Sequence, residues 1–153
     1  MMHEVERRIA SNYEAGNGQR HLVEQYCEKR GHHAGSELAV AEGGSVVPKP
    51  WGHELIWAHT DRYVGKILHI KAGEALSLQY HRVKDETIMV LSGRLQLVFF
   101  TDGEAPRSRE LGPREPFHLP PGLRHRMIAL EDTDVLEVST PELDDVIRLE
   151  DRY

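Results

Sequence analysis

The hydrophobic pattern of the chain changes near residue 46. Residues 3–15 and 19–31 carry helix-forming residues with apolar side chains four positions apart, which predicts two short helices joined by a Gly-Asn-Gly turn. Residues 34–47 are rich in small residues and predict a linker with room for one short strand. Beyond residue 49, short β-branched and aromatic runs separated by turn residues predict strands over 54–59, 63–71, 75–81, 86–92, 94–100, 116–120, 125–130 and 134–140.

Eight short strands at this spacing predict an antiparallel β sandwich or barrel. At 153 residues the chain is long enough for one domain with a real core and too short for two of ordinary size. We therefore expect an all-β domain over residues 46–153, preceded by a helical extension and linker over residues 1–45.

Alternation along each strand predicts which side chains enter the barrel, since successive residues of a strand point to opposite faces. If His81, Glu86 and His125 point inward, every second residue along the same strands does so as well. On the next strand, over 94–100, the apolar positions are taken as the inward ones. The predicted inward set is Ser77, Gln79, Ile88, Val90, Leu95, Leu97, Phe99 and Met127, with Arg124 and Arg126 on the opposite face.

Composition excludes several classes of function. The formal net charge is -6 and the basic residues are scattered among acidic ones, so nucleic acid is not an expected partner. The chain has no apolar run of membrane-spanning length and its N-terminus has no hydrophobic signal core, so no membrane association is expected. The single cysteine, Cys27, cannot form an internal disulfide, which agrees with a reducing compartment. We predict a cytoplasmic protein.

Four residues of metal-ligand type stand out between Gly73 and His125. Gln79 and His81 are two positions apart and leave one face of a strand, and Glu86 follows after four residues, enough for a tight turn and a returning strand. These three side chains are expected to converge from a single hairpin, with His125 as a fourth candidate. Two nitrogens and two oxygens suit zinc, iron(II), manganese, nickel or cobalt. The alternative is a pocket whose polar residues are hydrogen-bonded and hold no metal.

The spacing of these residues resembles the cupin superfamily. Gly73, Gln79, His81, Glu86 and Gly93 match the first cupin motif, with glutamine where most cupins have a first histidine, and the segment PPGLRH at 120–125 matches the core of the second. Within cupins, LSLQYH at 76–81, KPWGHE at 49–54 and DDVIRLEDRY at 144–153 resemble the cupin domain of bacterial type II phosphomannose isomerases, which is fused to a GDP-mannose pyrophosphorylase. The resemblance covers residues 46–153.

This resemblance implies a jelly roll, also called a double-stranded β-helix, and one divalent metal ion held by Gln79, His81, Glu86 and His125. Zinc is the ion we expect first. Cupin barrels commonly pair through their sheet edges, and both faces of the 86–92 segment are apolar and fit a buried interface, so a homodimer is expected.

The resemblance also implies a small-molecule substrate, a sugar or sugar phosphate, that is isomerised between aldose and ketose forms. Lys66 resembles a family lysine that would hold a phosphate or stabilise an enediolate, and Lys66, His118 or a metal-bound hydroxide would serve as the general base. Arg126 and Arg148 would bind a phosphate group. The alternatives are an ordinary surface position for Lys66 and His118, and ion pairs that fasten the C-terminal segment to the barrel for the two arginines.

Two other classes of function stay open at this stage. The same ligand set would serve a metal-dependent dioxygenase, lyase or epimerase acting on a small metabolite, and the identity of the metal would separate these from an isomerase. A non-catalytic sugar-binding module is the third possibility, and tight binding without turnover would indicate it. No glycine-rich nucleotide-binding segment precedes the predicted barrel, so nucleotide-sugar synthesis is not expected of this sequence.

Overall fold

The structure is a computed structural model that describes residues 44–153. The two predicted N-terminal helices and Cys27 lie outside this range. The described part is built of eleven strands: β1 (Ser45–Lys49), β2 (Gly52–His59), β3 (Val64–Ile70), β4 (Leu78–Tyr80), β5 (Glu86–Ser92), β6 (Leu95–Phe100), β7 (Arg107–Leu111), β8 (Pro116–Leu119), β9 (Arg124–Ala129), β10 (Thr133–Ser139) and β11 (Ile147–Glu150). Within these residues there is no helix long and apolar enough to cross a membrane.

The strands form two antiparallel sheets. One has six strands in the order β1-β2-β3-β10-β5-β8, and the other has five in the order β11-β4-β9-β6-β7. Consecutive strands often lie in different sheets, so the chain crosses repeatedly between the two layers. A single apolar cluster contains residues from both sheets, among them Leu68, Ile88, Leu97 and Met127. The predicted all-β jelly-roll architecture is confirmed.

Side-chain alternation builds this core as the sequence predicts. Along β5, Glu86, Ile88 and Val90 are buried, whereas Thr87 between the first two is exposed and Met89 between the last two is half-buried. The predicted inward residues that are buried are Ser77, Ile88, Val90, Leu95, Leu97 and Met127, and Phe99 packs partly buried against the same cluster. Strand parity is therefore a sound guide to the interior of this barrel.

Three strands differ from the expectation. β7 and β11 were not predicted as strands, and both occupy the edges of the five-stranded sheet. Four of the five residues of β7 are exposed, with only Leu111 buried, so its sequence lacks the apolar alternation by which strands are recognised. The strand predicted over 75–81 contracts to Leu78–Tyr80, and Ala75 makes only an isolated bridge to Ile128.

Candidate metal centre

Three residues of metal-ligand type meet inside the barrel. One ligand atom from each of His81, Glu86 and His125 lies within 4.8 Å of the others, and all three residues are buried. Glu86 Oε1 lies 3.2 Å from His81 Nε2 and 3.4 Å from His125 Nε2. In the described part of the chain this is the one group of three or more such side chains at this spacing.

The three residues come from both sheets, and the expected single hairpin is wrong. β4 pairs with β9 and β11, whereas β5 pairs with β10 and β8, so the segment between His81 and Glu86 crosses from one sheet to the other. His125 reaches the cluster because β9 lies beside β4, and the Gly122 amide of the preceding turn donates to the His81 carbonyl at 2.7 Å. Residue spacing along the chain could not reveal which sheet each strand would join.

Both histidines have one ring nitrogen committed to a backbone carbonyl. His81 Nδ1 lies 2.5 Å from the Asp145 carbonyl oxygen, and His125 Nδ1 lies 3.0 Å from that of Leu123. Because a carbonyl oxygen only accepts, each Nδ1 carries the proton, and in the neutral ring the Nε2 lone pair faces the cluster. Histidines that bind metals in proteins are oriented in this way.

The groups around Glu86 favour its ionised form. Burial opposes ionisation of Glu86, but contacts with His125 and His81 and the charge of Lys84 outweigh it and hold the pKa of Glu86 well below its usual range. Burial likewise opposes protonation of His81, yet the hydrogen bond and charge of Glu86 raise the pKa of that imidazole. A carboxylate that stays ionised in a buried site is the form that a metal requires.

The residues present fit a divalent metal ion. His125 Nε2 and Glu86 Oε2 are buried and have no hydrogen-bond partner, although buried polar atoms are normally paired. Two imidazole nitrogens and a carboxylate oxygen form a borderline-hard donor set, which suits zinc, iron(II), manganese, nickel and cobalt. A metal bound by these atoms would satisfy the unpaired nitrogen.

The cluster opens onto a cavity of about 660 Å³, a volume within the usual range for small-ligand sites. His81 and Glu86 belong to its wall, and an apolar floor is formed by residues such as Leu68, Leu76 and Met127. The segment that follows β10 contributes Leu143 and Val146, and the C-terminal segment contributes Arg148, Asp151 and Tyr153.

Comparison with known sequences identifies the family. A sequence profile described as Cupin domain matches residues 66–140, the stretch that contains the whole His81, Glu86 and His125 cluster. This chain belongs to the cupin family. Among solved structures, KdgF from Halomonas sp. superposes with a TM-score of 0.58 at 25% identity, over 66% of this chain and 91% of that chain. The capsular polysaccharide assembling protein CapF from Staphylococcus aureus gives a TM-score of 0.61 at 20% identity, over 76% of this chain and 35% of that one, which shows the shared fold alone.

A curated relative links this cupin to sugar-nucleotide enzymes. Mannose-1-phosphate guanylyltransferase ManC of Salmonella typhimurium is 34% identical over 112 residues. The alignment covers 70% of this chain but only 22% of the relative's length. This match confirms the resemblance to the cupin domain of such enzymes that the motifs indicated.

Gln79, the fourth expected ligand, lies on the wall of the cupin cavity. It is half-buried in β4, directly opposite His125 in the pairing of β4 with β9. Its Oε1 accepts a hydrogen bond of 2.8 Å from the Ser77 hydroxyl. Gln79 therefore lies beside the three-residue cluster, and its role as a metal ligand stays a prediction.

A row of alternating charges runs from the mouth of the cupin cavity to the cluster. Lys66 Nζ lies 3.6 Å from Glu54 Oε2 and 3.8 Å from Glu137 Oε1. Lys84 Nζ lies 3.0 Å from Glu137 Oε1 and 2.5 Å from Glu86 Oε2, the latter an ion pair without hydrogen-bond geometry. At the outer end, Lys49 Nζ lies 3.7 Å from Glu54 Oε1. Each carboxylate in this row thus contacts a positive charge.

Sequence reasoning missed Glu54, Lys84 and Glu137 as pocket residues. Strand parity could have found Glu137, because it lies two residues from both Val135 and Ser139, which are buried on the same inward face of β10. Lys84 had no such indication, since it lies in the segment that crosses between the sheets. Asp145 holds that segment in place, because its carboxylate accepts hydrogen bonds of 2.7 to 3.1 Å from the backbone amides of Arg82, Val83 and Lys84.

The cupin fold separates the other predicted site residues into two groups. Lys66 is buried and lines the cavity, and Arg148 lies at its mouth with an exposed guanidinium 4.0 Å from Asp151. His118 does not line the cavity: its side chain is 59% exposed and its Nε2 lies 2.6 Å from Asp85. Arg126 points to the outer face of the five-stranded sheet, where its Nη2 lies 3.3 Å from Glu150 of β11.

Proposed function

We propose that this cupin is a metal-dependent enzyme that interconverts the aldose and ketose forms of a sugar phosphate. The observation that carries the proposal is the buried His–Glu–His donor set, which has an unpaired nitrogen and opens onto a cavity large enough for a monosaccharide phosphate. The relationship to mannose-1-phosphate guanylyltransferases favours mannose and fructose phosphates among the possible substrates.

His81, Glu86 and His125 would hold the metal, with Gln79 as the fourth ligand and zinc as the ion we expect first. A divalent ion bound there supplies a Lewis acid that polarises a carbonyl oxygen. Apart from His81, the cavity wall carries four cationic side chains and four carboxylates, and the ion would add a positive excess. This balance favours an anionic substrate. The cations are Lys49, Lys66, Lys84 and Arg148, and the carboxylates are Glu54, Glu86, Glu137 and Asp151.

Lys66 is the residue we assign to the phosphate or to the developing enediolate. It is buried, lines the cavity and reaches no carboxylate closer than 3.6 Å, so its ammonium group is available to a stronger anionic partner. A positive charge in a largely enclosed site stabilises a developing negative charge far more than it would in water. Arg148 at the mouth would contact the far end of the same substrate.

The proposal is tested by metal analysis and turnover on the same preparations. Plasma mass spectrometry of the wild-type protein should show near-stoichiometric divalent metal, which His81→Ala should lose. The metal-loaded wild type should interconvert mannose 6-phosphate and fructose 6-phosphate, and Gln79→Ala and His125→Ala should abolish this activity. A fully loaded protein that turns over neither compound contradicts the proposal. Bound iron with oxygen consumption would instead indicate the dioxygenase class, and binding without turnover would indicate a sugar-binding module.

We also propose that the protein is a homodimer that pairs through the outer face of its six-stranded sheet. An apolar row crosses all six strands on that face, one residue per strand: Val46, Leu55, Ile67, Leu136, Met89 and Pro116. Trp57 and Val138, exposed by 43% and 44%, widen the same face. Val46 and Pro116 are exposed and the other four residues of the row are half-buried, and a partly exposed apolar band of this extent is typical of a protein interface.

Sedimentation equilibrium of the full chain should therefore show a dimer, and Leu136→Lys should dissociate it. Val98→Lys is the matched control, because Val98 has the same half-buried character but belongs to the five-stranded sheet. A monomeric wild type at micromolar concentration would contradict the homodimer.

A further inference from the structure

The row of alternating charges contains one carboxyl group that belongs neither to the metal cluster nor to the cavity mouth. Glu137 lies on the inward face of β10 with only 4% of its surface exposed. Its Oε1 accepts a hydrogen bond of 3.0 Å from Lys84 Nζ and lies 3.8 Å from Lys66 Nζ. Lys84 in turn contacts Glu86, so one lysine side chain separates Glu137 from the metal cluster.

Of the four cavity-lining carboxyl groups in the described residues, Glu137 alone suits proton transfer. Glu86 is committed to the histidines and Lys84, and Asp151 lies at the mouth with its side chain 45% exposed. Glu54 is held near the mouth by Lys49. Glu137 is the one that is both deep in the cavity and adjacent to the cluster. His118, a base candidate from the sequence, does not line the cavity.

The surroundings of Glu137 also set its proton affinity. Burial and the negative charge of Glu86 raise the pKa of Glu137, against the opposing charges of Lys84 on the crossing segment and Lys66 on β3. A raised proton affinity suits a carboxyl group that takes up a proton from the substrate and returns it during turnover.

We infer that Glu137 is the general base that moves the proton between C1 and C2 of the substrate. This inference rests on the proposed isomerase function. The Glu137 carboxylate takes the proton from C2 of the aldose, and the C–H electron pair becomes the C1=C2 double bond while the carbonyl electrons move to O1. The proton on O2 moves to O1, and Glu137 returns its proton to C1 as the carbonyl forms at C2. No co-reactant is consumed, and atoms and electrons balance.

The test is steady-state kinetics of metal-loaded Glu137→Gln, a change that keeps the shape of the side chain and removes its basicity. We expect kcat to fall by about 10² to 10⁴-fold with little change in KM, the loss typical of a general base. Glu137→Asp keeps a carboxylate and should retain part of the activity. Glu54→Gln is the matched control: it makes the same chemical change next to Lys66 and should alter KM more than kcat. Metal content and melting temperature, measured in parallel, exclude a loss caused by unfolding or an empty site.

A wild-type isotope experiment tests the same inference without any variant. A single base that is 4% exposed exchanges its proton slowly with water, so deuterium at C2 of mannose 6-phosphate should appear in part at C1 of fructose 6-phosphate. Complete loss of the label to solvent, or complete transfer with no loss, which marks a hydride shift, would overturn the assignment. If Glu137→Gln has a kcat close to that of an active wild type, the assignment is overturned as well. An inactive, metal-loaded wild type would refute the isomerase function itself, and this inference with it.

Discussion

Removing the positive charge of Lys84 is the sharpest test of how this cavity is held together. Lys84 is 3% exposed, and its ammonium group contacts two buried carboxylates, Glu86 at 2.5 Å and Glu137 at 3.0 Å. Burial lowers the pKa of Lys84, but the charges of Glu137 and Glu86 and their hydrogen bonds outweigh it and raise that pKa. The variant Lys84→Met keeps the length and apolar stem of the side chain and leaves both carboxylates without this partner.

The expected cost follows from these contacts. A unit charge pair about 4 Å apart is worth about 4 kcal/mol at the effective dielectric constant of 20 that fits most protein sites. Breaking a buried ion pair by removing one partner costs about 3–5 kcal/mol. We therefore expect Lys84→Met to lower the free energy of unfolding of the metal-free protein by about 3 kcal/mol or more, a large share of the about 5–15 kcal/mol typical of a domain.

The assay is urea denaturation of metal-free wild type, Lys84→Met, Glu137→Gln and the double variant. The double variant should lose less free energy of unfolding than the two single variants together, because Glu137→Gln removes one of the carboxylates that Lys84→Met leaves unpaired. The decrease in the free energy of unfolding caused by Lys84→Met should also be smaller at pH 5 than at pH 8, since buried carboxylates without a counter-charge take up protons as pH falls. Added zinc should reduce it further by supplying positive charge at Glu86.

A loss below about 1 kcal/mol, independent of pH and additive with Glu137→Gln, would refute this reasoning, because it would match an exposed ion pair and not a buried one. Wild type and Glu137→Gln with equal stability would separately show that the second contact of Lys84 contributes little.

Three further results are expected. His125→Ala should lose the bound metal and with it the rise in melting temperature that zinc gives the wild type, which a thermal shift titration measures. Asp145→Asn should make the free energy of unfolding depend less on pH below pH 4. Hydrogen bonds from the Lys84 and Val83 amides lower the pKa of Asp145 from 3.8 to about 2. The stability that Asp145 contributes is therefore present above pH 3.8 and is lost as pH falls toward 2. Gly52→Ala should destabilise the start of β2 by about 1–3 kcal/mol in urea, because φ there is +150° and a Cβ would lie 1.9 Å from the His69 carbonyl oxygen.

The part of the site that sequence could predict depends on local periodicity. The two-residue period of a strand placed Ser77, Ile88 and Val90 inside, and the structure buries all three. The same rule correctly put Arg126 on the outer face, where it contacts Glu150 of β11. The motif spacing selected His81, Glu86 and His125, and these three side chains do meet.

What periodicity could not predict is which strands become neighbours. The four residues between His81 and Glu86 suit a hairpin turn, yet they cross between two sheets because β4 and β5 find partners elsewhere in the chain. His118 follows the same principle: it is paired with Thr87 on the outer face of β5 and β8, while its neighbour Leu119 enters the core. The short run at 116–119 offered no parity of its own to decide between the two.

The sequence by itself therefore determined the all-β class, the inward face of each central strand and the candidate metal ligands, since each of these follows from residue types at fixed local spacing. Only the tertiary structure decided that Lys84 and Glu137 share a cavity with Glu86. These three residues come from a crossing segment and from two strands that are adjacent in space but far apart in sequence. Charges brought together by long-range pairing leave no periodic trace along the chain, although they set the electrostatics of the site.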